Sequence, residues 1–327
     1  MNITLVTGAT GLVGYSIVQE LLHQKRNVRV LVRSLEKGKR LLPPECELVQ
    51  GDITDKLTIK SAMQGCDIVY HAAGFPEQWM RDPNTFQQVN VEGTQNMVDV
   101  ALELGIKRFI YTSTIDVFEA KAGESYDEST LDSHPKGTYY ERSKQQADQR
   151  VTAALKQGLP AVFLHPSGVY GPGPTDSPGT NDLIMKLYKN DAPALIPGGY
   201  PVVFSTDVGK GHVLAELKGG IGERYILSES YYSLTELATL MLDALNIDKK
   251  PPAVLPLPLV HIVATAGEWI AKLINKAPLI PKGQVIFLQW QAHPQSTKAQ
   301  RELGWSPLSF KEGLKETIPF LIPDLSR

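Results

Sequence analysis

The chain has 327 residues, enough for one large domain or two ordinary ones. Hydrophobic residues make up 42% and charged residues 21%, with a net charge of −2; this is a globular composition with no basic field to hold nucleic acid. Cys46 and Cys66 match no metal-ligand or CxxC spacing, which excludes a disulfide framework and leads us to expect a reducing, cytoplasmic setting.

The apolar run at residues 3–6 reads as a buried strand and leaves no room for a signal peptide. Behind it stands Thr7-Gly-Ala-Thr-Gly-Leu-Val-Gly14, followed by a helical pattern over 12–25. In Gly8-x-x-Gly11-x-x-Gly14 the first glycine permits a sharp turn and the second lets backbone approach a pyrophosphate. The third permits close helix packing. The helix N-terminus then offers free N–H groups to phosphates. A purely structural turn is the alternative, but strand and helix on either side supply the context of a dinucleotide site.

A second strand over 28–32 ends in Arg33-Ser34, with Lys37, Lys39 and Arg40 behind it. No carboxylate stands where an NAD-selective site would hold the ribose 2′-hydroxyl, whereas Arg33 suits a 2′-phosphate; we expect NADP, with NAD as the alternative. Lys39 and Arg40 also read as a solvated basic loop. After the strand at 47–50, Asp52 is positioned to accept from an adenine amino group. A helix at 56–64 leads to the strand at 68–71, which ends in His71-Ala-Ala-Gly74; small residues there let a cofactor lie against backbone. His71 reads as a satisfied core histidine. A helix over 84–104 and a strand over 109–112 follow, then a helix over 138–157 and a strand over 161–164.

Alternating strands and helices predict an α/β fold: a Rossmann-type doubly wound parallel sheet with ligands at the strand carboxyl ends. After Val169 the turn formers of 170–180 and 196–201 break the pattern, and helical stretches appear at 233–246, 259–275 and 310–320. We therefore expect residues 1–169 and about 202–227 to form the dinucleotide-binding unit. Residues 170–201 and 228–327 would form a smaller, mostly helical C-terminal substrate lid. The apolar stretch 253–274 carries prolines, His261, Glu268 and Lys272, which argues against a transmembrane span; peripheral membrane contact stays open.

Tyr140 and Lys144 lie four residues apart on the predicted 138–157 helix, so both share one face. An ordinary tyrosine titrates near 10, and a nearby ammonium and a cationic nicotinamide would pull it down toward acid–base use. Tyr139 faces elsewhere. An exposed helix face is the plain alternative. Hydroxyl donors to polarise a carbonyl stand at the end of the fifth strand, in Thr112-Ser-Thr-Ile-Asp-Val117.

With these residues the chain resembles the extended short-chain dehydrogenase/reductase superfamily, nearest the 3β-hydroxysteroid dehydrogenase and dihydroflavonol reductase-like branches. The resemblance covers nearly the whole length and adds Asn90-Val-Glu-Gly-Thr94, Pro166-Ser-Gly-Val-Tyr-Gly-Pro172, Gly211-His212, Gly222-Glu-Arg-Tyr225 and Ser296-Thr-Lys-Ala-Gln-Arg-Glu-Leu-Gly-Trp305. It implies Thr114 as the active hydroxyl, Tyr140 as general acid/base, and Lys144 as the group that binds the nicotinamide ribose. Gly8, Thr10, Gly11, Leu12 and Val13 would line the pyrophosphate, Arg33 the 2′-phosphate, and Asp52 with Ile53 the adenine. Ala72, Ala73 and Gly74 would flank the ribose, and Pro166, Ser167 and Val169 the nicotinamide. Ser113 is implied as a cofactor or packing residue and Asn90 as a structural or cofactor-contacting amide. A homodimer through helices 84–104 and 138–157 is also implied. Two departures stand out: His165 replaces the usual arginine, so a local ion pair is missing or replaced, and Asp116 follows Ile115 where dehydratases carry a pair of acids.

The expected activity is an NADP(H)-dependent carbonyl reductase or alcohol dehydrogenase acting on a ketone or aldehyde. The apolar lid residues of 255–263 and 269–274 point to a bulky apolar substrate, although they equally suit a lid core or subunit interface. One rival is a nucleotide-sugar epimerase or dehydratase with tightly held NAD, for which the region 175–232 shows no arginine cluster. Another is a non-catalytic dinucleotide sensor.

Overall fold

The computed structural model describes residues 3–174, 179–274 and 276–325. Strands β1 to β7 are Ile3–Thr7, Asn27–Val32, Glu47–Gln50, Cys66–His71, Arg108–Thr112, Ser125–Tyr126 and Ala161–Pro166. Strands β8 to β12 are Gly168–Tyr170, Gly199–Phe204, Arg224–Leu227, Ser230–Ser233 and His293–Pro294. Helices α1 to α6 are Leu12–His23, Leu35–Leu41, Lys56–Met63, Asn84–Phe86, Gly93–Glu103 and Tyr139–Leu155. Helices α7 to α12 are Thr180–Tyr188, Ser205–Lys218, Leu234–Ala244, Leu257–Ile274, Lys282–Trp290 and Phe310–Leu321.

Seven strands form one sheet in the order β10-β7-β5-β4-β1-β2-β3. Every neighbouring pair in it is parallel. Chain direction across the sheet reverses between β1 and β4, and a crevice opens at their carboxyl ends. The sheet is apolar on both faces, as a parallel sheet must be. Val6, Val30 and Ile110 pack under Ile17 and Leu21 of α1 and Val208 and Val213 of α8. On the other face Leu5, Val69 and Phe109 meet Ile59 of α3, Met97 and Val98 of α5, and Ala147 and Val151 of α6. Each of the Val, Leu, Ile, Phe and Met side chains among them contributes about 1.5–3 kcal/mol on burial.

The six strands expected from the sequence are all present. The 35–41 stretch, expected as a loop, is helix α2, capped by Ser34, whose hydroxyl accepts from the Lys37 N–H at 3.2 Å. The 84–104 helix contains a π-helical turn at Gln87–Glu92. The lid region is less helical than expected, because β11, β9 and β8 form a second sheet. Strand β9 crosses the boundary drawn between residues 201 and 202. Its Gly199-Tyr-Pro201 start reads as a break, yet Pro201 sits opposite Tyr231 on β11 and the strand continues to Phe204. Of the turn-rich segment 170–180, residues 175–178 lie outside the described residues.

Candidate active site

One cavity of roughly 540 Å³ at the carboxyl ends of β1, β4 and β5 is lined by every residue expected above to act in catalysis or hold the cofactor, apart from the amide Asn90. Its floor is the glycine turn. Gly8 takes φ +75°, and a Cβ there would stand 2.6 Å from the Ala72 carbonyl; only glycine lets β1 pass β4 so closely. A Cβ on Gly14 would meet the Gly8 oxygen at 2.4 Å, so this glycine closes the helix onto the turn, where packing onto the sheet had been expected. At Gly11 an added Cβ would find nothing nearer than 3.5 Å. The first turn of α1 has no side-chain cap and no acid, which leaves its N–H groups for an anion.

At one end of the cavity stand Arg33, Lys37, Asp52 and Ile53. Arg33 is exposed along with Lys39 and Arg40, but of these only Arg33 lines the cavity. Asp52 Oδ1 already accepts from the Thr54 N–H and hydroxyl, each at 2.9 Å. The small wall of Ala72, Ala73 and Gly74 is held by a buried relay. Thr7 Oγ1 accepts from the Ala73 N–H at 3.2 Å, and His71 bridges Thr7 at 2.8 Å and Thr94 at 3.0 Å. Burial, then the charge of Lys144, lowers the His71 pKa to about 3; the ring is neutral and structural. Asn90 clamps the next segment, accepting from the Phe75 N–H at 2.6 Å and donating to Ser143 at 2.8 Å.

At the other end Thr114, Tyr140 and Lys144 converge. A capping box starts α6: the Thr138 hydroxyl accepts from the Glu141 N–H at 3.1 Å, and the Glu141 carboxylate accepts from the Thr138 N–H. The cap fixes where Tyr140 and Lys144 emerge. Tyr139 points away, 61% exposed. The Lys144 ammonium donates to the Thr112 carbonyl at 2.9 Å and lies 5.2 Å from the Tyr111 ring centroid. Burial lowers its pKa to about 8, against the pull of Asp148 and Asp116. The phenol departs from expectation: burial and the Asp116 carboxylate push the Tyr140 pKa above the usual tyrosine range, while the Thr114 hydroxyl opposes them.

The fifth-strand hydroxyls divide. Ser113 donates to Asp148 at 2.7 Å while lining the cavity. Thr114 donates to Asp116 Oδ2 at 2.9 Å. The other oxygen, Oδ1, is buried with no partner. Burial and then the Glu141 charge raise the Asp116 pKa to about 7, against Thr114, Lys136 and Lys144. Ser167 also buries a hydroxyl without a partner on the cavity wall.

The ion pair missing at His165 is replaced from elsewhere. Arg224 on β10 reaches Asp148 of α6 at 2.8 Å and Thr152 at 2.7 Å. Its guanidinium also lies 3.3 Å from His165 Nε2, while His165 Nδ1 lies 3.0 Å from the Thr114 carbonyl. A guanidinium only donates and a carbonyl only accepts, so the neutral ring carries its proton on Nδ1. Burial lowers its pKa to about 3. Burial alone would push Asp148 up, but Arg224 and His165 hold it below the usual carboxylate range. Sequence reasoning missed the pairing of Arg224 with Asp148 and the Phe75-Pro-Glu77 segment of the lining, while Lys37, named there beside Arg33, does line the cavity. Arg224 lay within a quoted motif, but no local spacing ties it to a histidine 59 positions away.

The fit to a dinucleotide rests on this geometry: a glycine cradle closed to any Cβ at Gly8 and Gly14, an uncapped helix start, and the unpartnered Ser167 hydroxyl. Comparison with known proteins agrees. The model of the NAD dependent epimerase/dehydratase family matches residues 4–227. A protein of Synechocystis sp. named "Putative dihydroflavonol 4-reductase" is 31% identical over 320 residues, spanning 96% of this chain and 92% of that one. Sterol demethylase protein B of Methylococcus capsulatus is 26% identical over 318 residues, with 96% and 97% covered. The crystal structure of gox2253 superposes with a TM-score of 0.85 at 30% identity, covering 99% of each chain.

Proposed function

We propose that this chain, which belongs to the NAD dependent epimerase/dehydratase family, is an NADP(H)-dependent reductase of a bulky apolar ketone or aldehyde, or the corresponding alcohol dehydrogenase. The observation that carries the reading is that Thr114, Tyr140 and Lys144 stand together at one end of the cavity whose floor is the glycine cradle. In this reading residues 1–169 and about 202–227 hold the nucleotide and 170–201 with 228–327 form the lid, of which Pro174, Gly179, Thr180 and Asn181 line the cavity, while the apolar residues of 255–263 and 269–274, expected to line a substrate pocket, do not.

Gly8, Thr10, Gly11, Leu12 and Val13 would hold the pyrophosphate, Arg33 the 2′-phosphate, Asp52 and Ile53 the adenine. Ala72, Ala73 and Gly74 would flank the ribose, and Pro166, Ser167 and Val169 the nicotinamide, with Ser167 spending its spare hydroxyl on the carboxamide. The bound nicotinamide supplies or accepts hydride. Tyr140 delivers its phenolic proton to the carbonyl oxygen as charge develops there. Lys144 would hold the ribose, and the Thr114 hydroxyl opposes the rise that burial imposes on the phenol. Thr114 hydrogen-bonds the same oxygen. Its proton is directed at Asp116 in this structure, so it reaches a substrate only when Asp116 releases it.

The names of the relatives, a dihydroflavonol 4-reductase and a sterol demethylase protein, support a large apolar substrate. The described lining residues support it too: their cations are Arg33 and Lys37 at the adenosine end and Lys144 beside Tyr140, which leaves no cation for a second diphosphate. The test is to identify by mass spectrometry the nucleotide that co-purifies and to follow NADPH oxidation across a panel of ketones and aldehydes. Turnover of apolar carbonyls with NADPH is expected. Tightly bound NAD with turnover of a sugar nucleotide would overturn the reading in favour of an epimerase.

A further inference from the structure

Helix α10 presents two apolar faces and the fold covers one. Val260, Ala264 and Ala271 are buried, the first two packing with Val285 of α11. Leu259, Ile262, Trp269, Ile270 and Leu273 point outward, Trp269 73% and Leu273 74% exposed. At roughly 100° per residue the outward set forms a stripe of its own, separate from the packed one. Beyond the helix Leu279 extends the patch at 83% exposure. Exposed Lys272, Lys276 and Lys282 edge the same end. The acid among them, Glu268, is half-buried and accepts from the Lys282 backbone N–H at 2.9 Å.

By length and composition alone α10 is apolar enough to cross a membrane. Its inner stripe is already committed to the protein, however, and Glu268 and Lys272 lie between the two stripes, which suits lying in an interface and not spanning one. We propose that the outer face of α10 docks on an anionic lipid bilayer, with Trp269, Leu273 and Leu279 entering the headgroup region and the three lysines meeting lipid phosphates. A second copy of the chain fits this surface poorly, because a two-fold pair would bring like-charged lysine sets together.

The location gives the contact a use. Gly283, at the start of α11, sits against Gln78, where an added Cβ would be 2.8 Å from the amide oxygen. The neighbouring Phe75, Pro76 and Glu77 line the cavity. Docking therefore places the cavity rim beside the bilayer, the phase in which an apolar substrate resides. That last step rests on the proposed substrate class; the docking itself does not.

Co-sedimentation of the full chain with phosphatidylcholine vesicles, with and without phosphatidylserine, tests docking without substrate or nucleotide. Binding is expected to need phosphatidylserine and to weaken with salt. It should fall roughly tenfold or more in a Trp269→Ser/Leu273→Ser double variant and in Lys272→Glu/Lys276→Glu. All four positions are exposed, and the variants should keep wild-type melting temperature and turnover of a water-soluble carbonyl. Absence of vesicle binding, or binding equal in the variants, would overturn the proposal. So would a concentration-dependent dimer abolished by Trp269→Ser, which would make the face an interface between copies. Vesicle binding without any reductase activity would keep the docking and sink the function instead.

Discussion

Replacing Asp116 by asparagine tests the electrostatics of the site in a single substitution. The groups that set this carboxyl are Thr114, which donates to it at 2.9 Å, and the charges of Glu141, Lys136 and Lys144 around it. Burial dominates and raises its pKa from 3.8 to about 7. A carboxyl that holds its proton more tightly folded than unfolded stabilises the fold at low pH. That contribution is lost as pH climbs from about 4 through about 7. Three units correspond to at most about 4 kcal/mol between those limits. Urea unfolding of the wild type should therefore lose stability between pH 4.5 and 8, and Asp116→Asn should lose markedly less, becoming the more stable protein at pH 8. The same ionisation governs Thr114: above pH 7 the carboxylate captures its proton, so reduction should decline through a limb near pH 7 that the variant lacks. Equal pH dependence of stability in the two proteins would refute the argument. A limb near 7 surviving in Asp116→Asn would assign that titration to another group.

Tyr140→Phe removes the proton donor while keeping the ring, and should cost about 100-fold or more in kcat with little change in nucleotide affinity by fluorescence titration; wild-type turnover would refute its role. Arg33→Glu should weaken NADPH by about 10- to 100-fold, the loss of a charge-assisted contact, while leaving NADH comparatively unaffected. An equal effect on both nucleotides would place Arg33 away from the 2′-phosphate. Arg224→Met strands the buried Asp148 carboxylate, and urea unfolding should show a loss of about 3–5 kcal/mol. A change within about 0.5 kcal/mol would mean that the pair contributes nothing to the fold.

What could be read along the chain was what is local in the chain. Strand β1, its glycine turn and α1 are contiguous, and their periodicity and glycine spacing carry the geometry directly. Tyr140 and Lys144 needed only the helical repeat. Elements whose signal is tertiary were not legible. Gly209 and Gly211 argue against a helix, yet α8 forms because Gly209 lets it cross α1, where a Cβ would meet the Ser16 oxygen at 2.3 Å. Short β8, β9 and β11 hold no long apolar alternation, and Pro201 masks the middle one. Asp116 was noticed as a departure, but its partners Glu141 and Lys136 come from beyond its own turn. The rise of the Tyr140 pKa is not legible in the chain, because burial, its largest cause, and the Asp116 carboxylate beside the phenol are both set by the fold.

The bond between Arg224 and Asp148 constrains how this protein can be rebuilt. The seventh strand of the main sheet arrives only after the chain has travelled through β8, α7, β9 and α8, yet it neutralises an acid on the helix that bears Tyr140 and Lys144. A fragment ending at β7 would leave that acid bare. Exchange of substrate specificity with a relative must therefore splice out two separate pieces and return the intervening strand to its host, because a single crossover point would divide the helix from its counter-ion.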